Sequence, residues 1–186
     1  MSLMPSTMLD LGTQAPEFEL PDTISGNVIS LTDISLGKRG ILVMFICNHC
    51  PYVKHVQPEL VKLATGYLAK DIAIVAISSN DVANYPEDSP ELMLEEAKRW
   101  NYTFPYLYDE SQLVAKAYKA ACTPDFFLFD KNLSLVYRGE LDGSRPGNDV
   151  GLTGGSIRDA LDSLLAGIPI SEKQIPSVGC NIKWKE

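Results

Sequence analysis

The chain has 186 residues, with 45% hydrophobic and 22% charged side chains, enough for one globular domain with a core of its own. Its formal net charge of −8 speaks against nucleic acid and anionic membrane surfaces as partners, since both select basic patches. No apolar run approaches a membrane span, and the opening MSLMPSTMLDLG has neither the basic residues nor the apolar core of a secretory signal. A cytoplasmic protein is expected, with one exported after loss of its signal as the alternative. Met1–Leu3 read as an expression remnant and are left out of the fold expectation. A single domain over 1–186 is expected, with its core at about 12–170 and a tail at 171–186.

In chain order, Gly26-Asn27 lies between the short apolar alternations Phe18–Leu20 and Val28–Leu31, a hairpin signal. Ile41–Ile46 is a continuous apolar run of strand length, which suggests a strand buried on both faces. Val53, Val56, Leu60, Leu63, Ala64, Tyr67 and Leu68 then recur at helical steps, and Pro58 implies either a kink or a fresh start with Pro at the first position. Ile72–Ser78 is a second buried strand. Ser89-Pro90-Glu91 opens a helix that runs to about Trp100, with a hydroxyl cap, a first-position proline and an acid in the first turn. A short strand at Phe104–Tyr108 and a brief helix around Leu113, Ala117 and Tyr118 follow. Phe126–Phe129 and Leu135–Tyr137 flank the turn-like Asp130-Lys131-Asn132 and read as antiparallel neighbours. Ser156 caps a helix to about Ala166, closed by Gly167, and the stretch from Ser171 to Glu186 has no period. Strands alternating with helices imply an α/β fold with a mainly parallel sheet covered on both faces, to which the late hairpin adds antiparallel strands.

Four cysteines are too few for a disulfide scaffold in a chain this long. Cys47 and Cys50 form a Cys-x-x-Cys pair where a buried strand gives way to a helix. The partial positive charge and open N–H groups of a helix start favour a thiolate. In such a motif the first thiol's pKa falls to about 3.5–7.5, and a thiolate is the nucleophile that attacks a disulfide. Cys47 is therefore expected to be the exposed thiolate, with Cys50 more buried and of higher pKa. Half of a zinc site is the bland alternative, but zinc wants four ligands, usually a second Cys-x-x-Cys or a His pair at comparable spacing, and the only histidines are His49 and His55. A Cu(I)-binding module built on both thiolates and a histidine is a further alternative.

The segments "GTQAPEFEL", "VMFICNHCP" and "CTPDFFLFD" make the chain resemble the thioredoxin superfamily, and within it the redoxin branch of AhpC/TSA peroxiredoxin-like and thiol-disulfide reductase proteins. "CNHCPYVKH … NDVANYPEDSP … FPYLYDESQ … GCNIKWK" is similar to a peroxiredoxin-like subgroup carrying Cys-x-x-Cys. The resemblance spans nearly the whole chain. It implies a thioredoxin-like fold, with a mixed central sheet, helices on both faces and an N-terminal β-hairpin. It also implies a thiol-disulfide oxidoreductase with Cys47 attacking and Cys50 resolving, and a cis-proline at Thr123-Pro124 facing the pair. Thr123 would offer its backbone to a substrate strand along an edge that Pro124 holds open. No metal and no organic cofactor is implied, only a redox-active disulfide. The implied partners are a disulfide-containing protein or small thiol substrate and a thioredoxin-like or glutathione electron donor. A peroxidase with Cys47 as peroxidatic cysteine is the enzymatic alternative. Against it, the Pro and Thr of Pro-x-x-x-Thr-x-x-Cys are Gly40 and Met44 here, and Arg138 is the one candidate for the expected arginine.

Around the pair, His49 is a candidate redox tuner or a solvated side chain, and His55 reads as a helix-surface residue. Cys122 and Cys180 are candidates for additional redox thiols, with an inert buried thiol the default for Cys122. Asp81, Glu87, Asp88, Glu91, Glu95 and Glu96 read as solvated acids or a docking surface. The GLTGG run at 151–155 lacks the Lys-Ser/Thr ending of a phosphate loop and reads as a plain loop.

Overall fold

A computed structural model gives the structure of the protein and describes residues 2–186. In chain order, β1 (Leu3–Pro5) is followed by the hairpin β2 (Glu19–Pro21) and β3 (Val28–Ser30), then α1 (Leu31–Ser35) and β4 (Gly40–Phe45). Next come α2 (Pro51–Leu68), β5 (Ile72–Ser78), a 3₁₀ turn at Pro86–Asp88, α3 (Pro90–Trp100), β6 (Tyr106–Tyr108) and α4 (Leu113–Ala117). The chain ends with β7 (Cys122–Thr123), β8 (Asp125–Asp130), β9 (Leu135–Gly139), α5 (Gly155–Ala166) and β10 (Val178–Asn181).

Five strands form the central sheet in the order β6-β5-β4-β8-β9. β4 runs parallel to β5, and β5 to β6, while β8 and β9 add antiparallel strands. Every residue of β4 and β5 is buried, as their unbroken apolar runs require of strands covered on both faces. Leu42, Met44 and Ile46 pack on one face with Val53, Leu60 and Leu63 of α2, Met93 of α3 and Ile157 and Leu161 of α5. Ile41, Val43 and Phe45 point to the other face, where Phe18, Leu31 of α1, Val114 of α4 and Tyr118 cover them. Gly40 begins β4 because a Cβ there would lie 2.7 Å from both Phe129 O and Leu164 Cδ2.

Four expectations need correction. α2 runs unbroken from Pro51, so the first-position proline is Pro51 and not Pro58. Pro58 and Lys54, whose carbonyl loses its helical partner, are both exposed, so the missing bond falls where water takes it up. α5 starts one residue before Ser156, and its cap is Gly154 at φ 67°, a left-handed position that suits glycine. The short strand expected at Phe104 starts at Tyr106. The last segment is no separate tail: β10 lies between β1 and β7, with Cys180 opposite both Leu3 and Thr123. Leu3, set aside above, is thus part of a sheet.

Candidate active site

β4 delivers the chain to the sheet end, where Ile46 still bonds to β5 through its N–H to Ile77 O at 3.0 Å. Cys47-Asn48-His49 bridge to α2, whose N-cap is Cys50 because Pro51 supplies the pre-set first turn. The start of α2 therefore falls one turn later than the cysteine spacing suggests. Both thiols are buried, Cys47 at 1% exposure and Cys50 at 0%, so Cys47 is not the exposed thiolate expected. Cys47 Sγ lies 3.4 Å from Thr123 Oγ1, and Cys50 Sγ lies 3.2 Å from Thr123 O. The Thr123–Pro124 peptide is cis, as the resemblance implies.

The acidities are also reversed from expectation. Cys50 is lowered to about 5, first by the Cys47 thiol, then by Cys180, Thr123 and the N–H of Val53 in the first turn of α2, all working against burial. Cys47 is pushed up by its burial, by Cys50 and by the charge of Asp88. The surroundings thus favour ionisation of Cys50, the sulfur that meets the helix start, over Cys47.

Asp88 is the group that sequence reading missed. It is fully buried, not solvated, and its Oδ1 accepts from Asn48 N at 2.8 Å and His49 N at 3.2 Å. Its Oδ2 accepts from Asn80 Nδ2 at 2.8 Å and pairs with His49 Nδ1 at 2.6 Å. Burial opposes its charge, yet His49, Asn80 and Asn48 together hold its carboxyl below the usual range. The bond to Asp88 in turn raises the His49 imidazole above its ordinary value. His49 also stacks on Tyr85, with centroids 5.4 Å apart, and its Nε2 is buried with no hydrogen-bond partner. Asn80 is anchored by Lys183 N, which donates to its Oδ1 at 2.8 Å, so the last segment of the chain supports the site. Tyr106 OH completes the set by donating to Asn48 Oδ1 at 3.0 Å.

Donor atoms of Cys47, His49 and Asp88 lie within 4.8 Å of one another and are the set that could hold a metal ion among the described residues. Both Asp88 oxygens are already engaged by four donors, which makes this a charge network before it is a ligand set.

The remaining candidates divide. Cys180 is brought to the pair, with its Sγ 2.8 Å from Cys50 Sγ. Burial and the neighbouring Cys50 push its thiol up to about 12. Cys122 points away; its Sγ neighbours are Pro124 O at 3.7 Å and Ser177 O at 3.9 Å, and burial raises its pKa strongly. The backbone edge of Thr123 is not open: β10 pairs with it, and Gly179 packs so close that a Cβ would meet Thr123 O at 1.9 Å. Arg138 stands opposite Phe127, on the sheet face away from Cys47. Its Nε donates to Leu9 O and its Nη1 to Gln174 Oε1, both at 2.8 Å. His55 is half-buried and pairs through Nε2 with Ser144 Oγ at 2.6 Å, in a small cleft beside Tyr52 and Pro124. In the glycine loop, the N–H groups of Thr153 and Gly154 bind Asp142 Oδ2, consistent with a plain loop.

The AhpC/TSA family matches residues 11–138. The chain belongs to that family, in the redoxin branch of the thioredoxin superfamily. It is 31% identical over 127 residues to the thiol-disulfide oxidoreductase ResA of Geobacillus thermodenitrificans, covering 68% of this chain and 67% of that one. An uncharacterized conserved protein from Geobacillus kaustophilus is 58% identical with a TM-score of 0.97, covering 100% of this chain and 97% of the other. A hypothetical protein from Sinorhizobium meliloti is 46% identical with a TM-score of 0.94, covering 97% and 98%. A thiol:disulfide interchange protein DsbE from Chlorobium tepidum is 20% identical with a TM-score of 0.65 over 84% of this chain and 99% of that one, a likeness of fold alone. The fold is thioredoxin-like, with the mixed sheet, two-sided helix cover and N-terminal hairpin described above. The relatives make this redoxin an oxidoreductase of the thiol-disulfide kind, acting on thiols or disulfides in general.

Proposed function

We propose that Cys47 and Cys50 are the redox pair of this oxidoreductase and reduce disulfides in a protein or small-thiol substrate. The observation that carries the reading is the convergence of both sulfurs on Thr123 at the β4–α2 junction. Cys47 is the attacking sulfur, because Cys50 is enclosed by Thr123 O and Cys180. The proton of Cys47 first passes to the Cys50 thiolate. Cys47 S⁻ then attacks one substrate sulfur; the other leaves as a thiolate and takes a proton from solvent. Cys50 then gives its proton to solvent and its thiolate attacks Cys47 Sγ; the bond to substrate breaks, and the second substrate sulfur departs as a thiolate and takes a proton from solvent. The substrate has gained two electrons and two protons, and the protein holds Cys47–Cys50 as a disulfide. His49, kept basic by Asp88, favours the charged, reduced form of the pair. A thioredoxin-like protein or glutathione in the cytoplasm returns the electrons, with no further cofactor.

The test is turnover of a peptide disulfide by the reduced protein, with Cys50→Ser and Cys47→Ser beside it. Cys50→Ser is expected to accumulate a covalent adduct on Cys47, found by mass spectrometry without reductant, and Cys47→Ser none. An adduct on Cys50 in the wild type with Cys47 unmodified overturns the role assignment, and absence of turnover overturns the activity.

A further inference from the structure

We propose that Cys180 is a third thiol of this site, which takes over the oxidising equivalent by exchange with the Cys47–Cys50 disulfide. The proposal rests on the reading of Cys47 and Cys50 as the redox pair and extends it. Cys50 Sγ and Cys180 Sγ are 2.8 Å apart, against about 2.05 Å in a disulfide, so the two sulfurs have less than an ångström to close.

The placement is built into the fold. β10 is held from both sides, by β1 and by β7, with Cys180 in register with Thr123. Thr123 is the residue that touches both Cys47 and Cys50, so one residue aligns all three sulfurs. Gly179 makes this approach possible, because any side chain there would collide with Thr123 O. Cys122 is excluded by alternation: it is the residue before Thr123 in β7 and faces the Pro124 and Ser177 carbonyls instead.

The exchange conserves electrons. Cys180 gives up its proton and its thiolate attacks Cys50 Sγ. The Cys47–Cys50 bond breaks, its electron pair goes to Cys47, and Cys47 takes up the proton. One S–S bond is made and one lost. The timing follows from charge. Burial opposes ionisation of Cys180 in either state, and in the reduced protein the neighbouring Cys50 adds to it. Oxidation of the pair removes the contribution of Cys50, while Lys183 continues to favour the Cys180 thiolate. The outcome is an oxidised protein that stores its disulfide under β10 and presents Cys47 again as a thiol.

The intact chain is suited to a direct test. Cys47 and Cys50 share the tryptic peptide 40–54, Cys180 lies in 174–183 and Cys122 in 120–131. The protein is equilibrated in oxidising glutathione buffers, acid-quenched, alkylated and digested. The expected result is a cross-link between peptides 40–54 and 174–183. Cys47→Ser should still lose two thiols reversibly, and Cys47→Ser combined with Cys180→Ser should lose none, with Cys180→Ala as the second replacement should the serine disturb folding. A wild type that shows only the disulfide within 40–54, with Cys47→Ser fully reduced or merely glutathionylated, overturns the proposal. Peptide-disulfide turnover is measured on the same wild-type sample. Turnover without the cross-link sinks the third thiol alone, and the cross-link without turnover sinks the proposed activity alone.

Discussion

Asp125 opens β8 directly after the cis peptide, fully buried, and neither of its oxygens has a hydrogen-bond partner of normal geometry. Burial pushes its carboxyl from 3.8 to about 7, with partial relief from Ser6 and the N–H groups of Ala121 and Phe126. Three pKa units correspond to roughly 4 kcal/mol in favour of the neutral acid. The folded-state pKa is the higher one, so the folded protein binds the extra proton. This contribution to stability is present in full below about pH 4 and is lost as the pH rises to about 7. Asp125→Asn keeps the shape and cannot ionise. The unfolding free energy of the variant minus that of the wild type should therefore climb by about 1.4 kcal/mol per pH unit between about 4 and 7, then level off. All other titrating groups are common to both proteins and cancel. Urea unfolding followed by the fluorescence of Trp100 and Trp184 across that range measures it. A flat difference, or one that falls with pH, refutes the claim that Asp125 is buried without adequate partners.

Three further outcomes are expected. His49→Ala removes the base that favours the reduced pair, so the disulfide should become more reducing by tens of millivolts, about 30 mV being 1.4 kcal/mol; equilibration against glutathione reads this, and an unchanged potential leaves His49 a bystander. Gly179→Ala forces a methyl against Thr123 O and should cost about 1–3 kcal/mol in urea unfolding while reducing the Cys50–Cys180 cross-link; an unchanged midpoint would mean β10 is not packed as described. Hydrogen peroxide should react slowly in stopped flow, because Gly40 and Met44 replace the peroxidatic Pro and Thr and Arg138 is engaged elsewhere; a rate of about 10⁶ M⁻¹s⁻¹ or more would make peroxide the primary substrate.

The main strands and helices of the central layer were legible because local signals mark them. Continuous apolar runs mark β4 and β5, and a hydroxyl cap followed by proline marks α3. β10 was not, because Val-Gly-Cys-Asn has no alternation and its burial comes from pairing with strands far away in sequence. Asp88 looked like its acidic neighbours, since nothing local reports a partner about forty residues upstream. The misplaced charge has a different origin. Pro51 carries the same first-position signal as Pro90 and by itself puts Cys50, not Cys47, at the cap of its helix. Starting the helix one turn later moves the helix field to the second sulfur, and Asp88 takes the N–H groups of Asn48 and His49 that would otherwise favour a Cys47 thiolate. With Cys47 as the proposed attacking sulfur, the thiol that its surroundings favour as a thiolate and the thiol that attacks are different atoms. On those proposed roles a proton crosses from Cys47 to Cys50 before Cys47 attacks, so the cost of that step depends on the coupling of the pair, and a group touching Cys50, Cys180 above all, would act on the reactivity of Cys47.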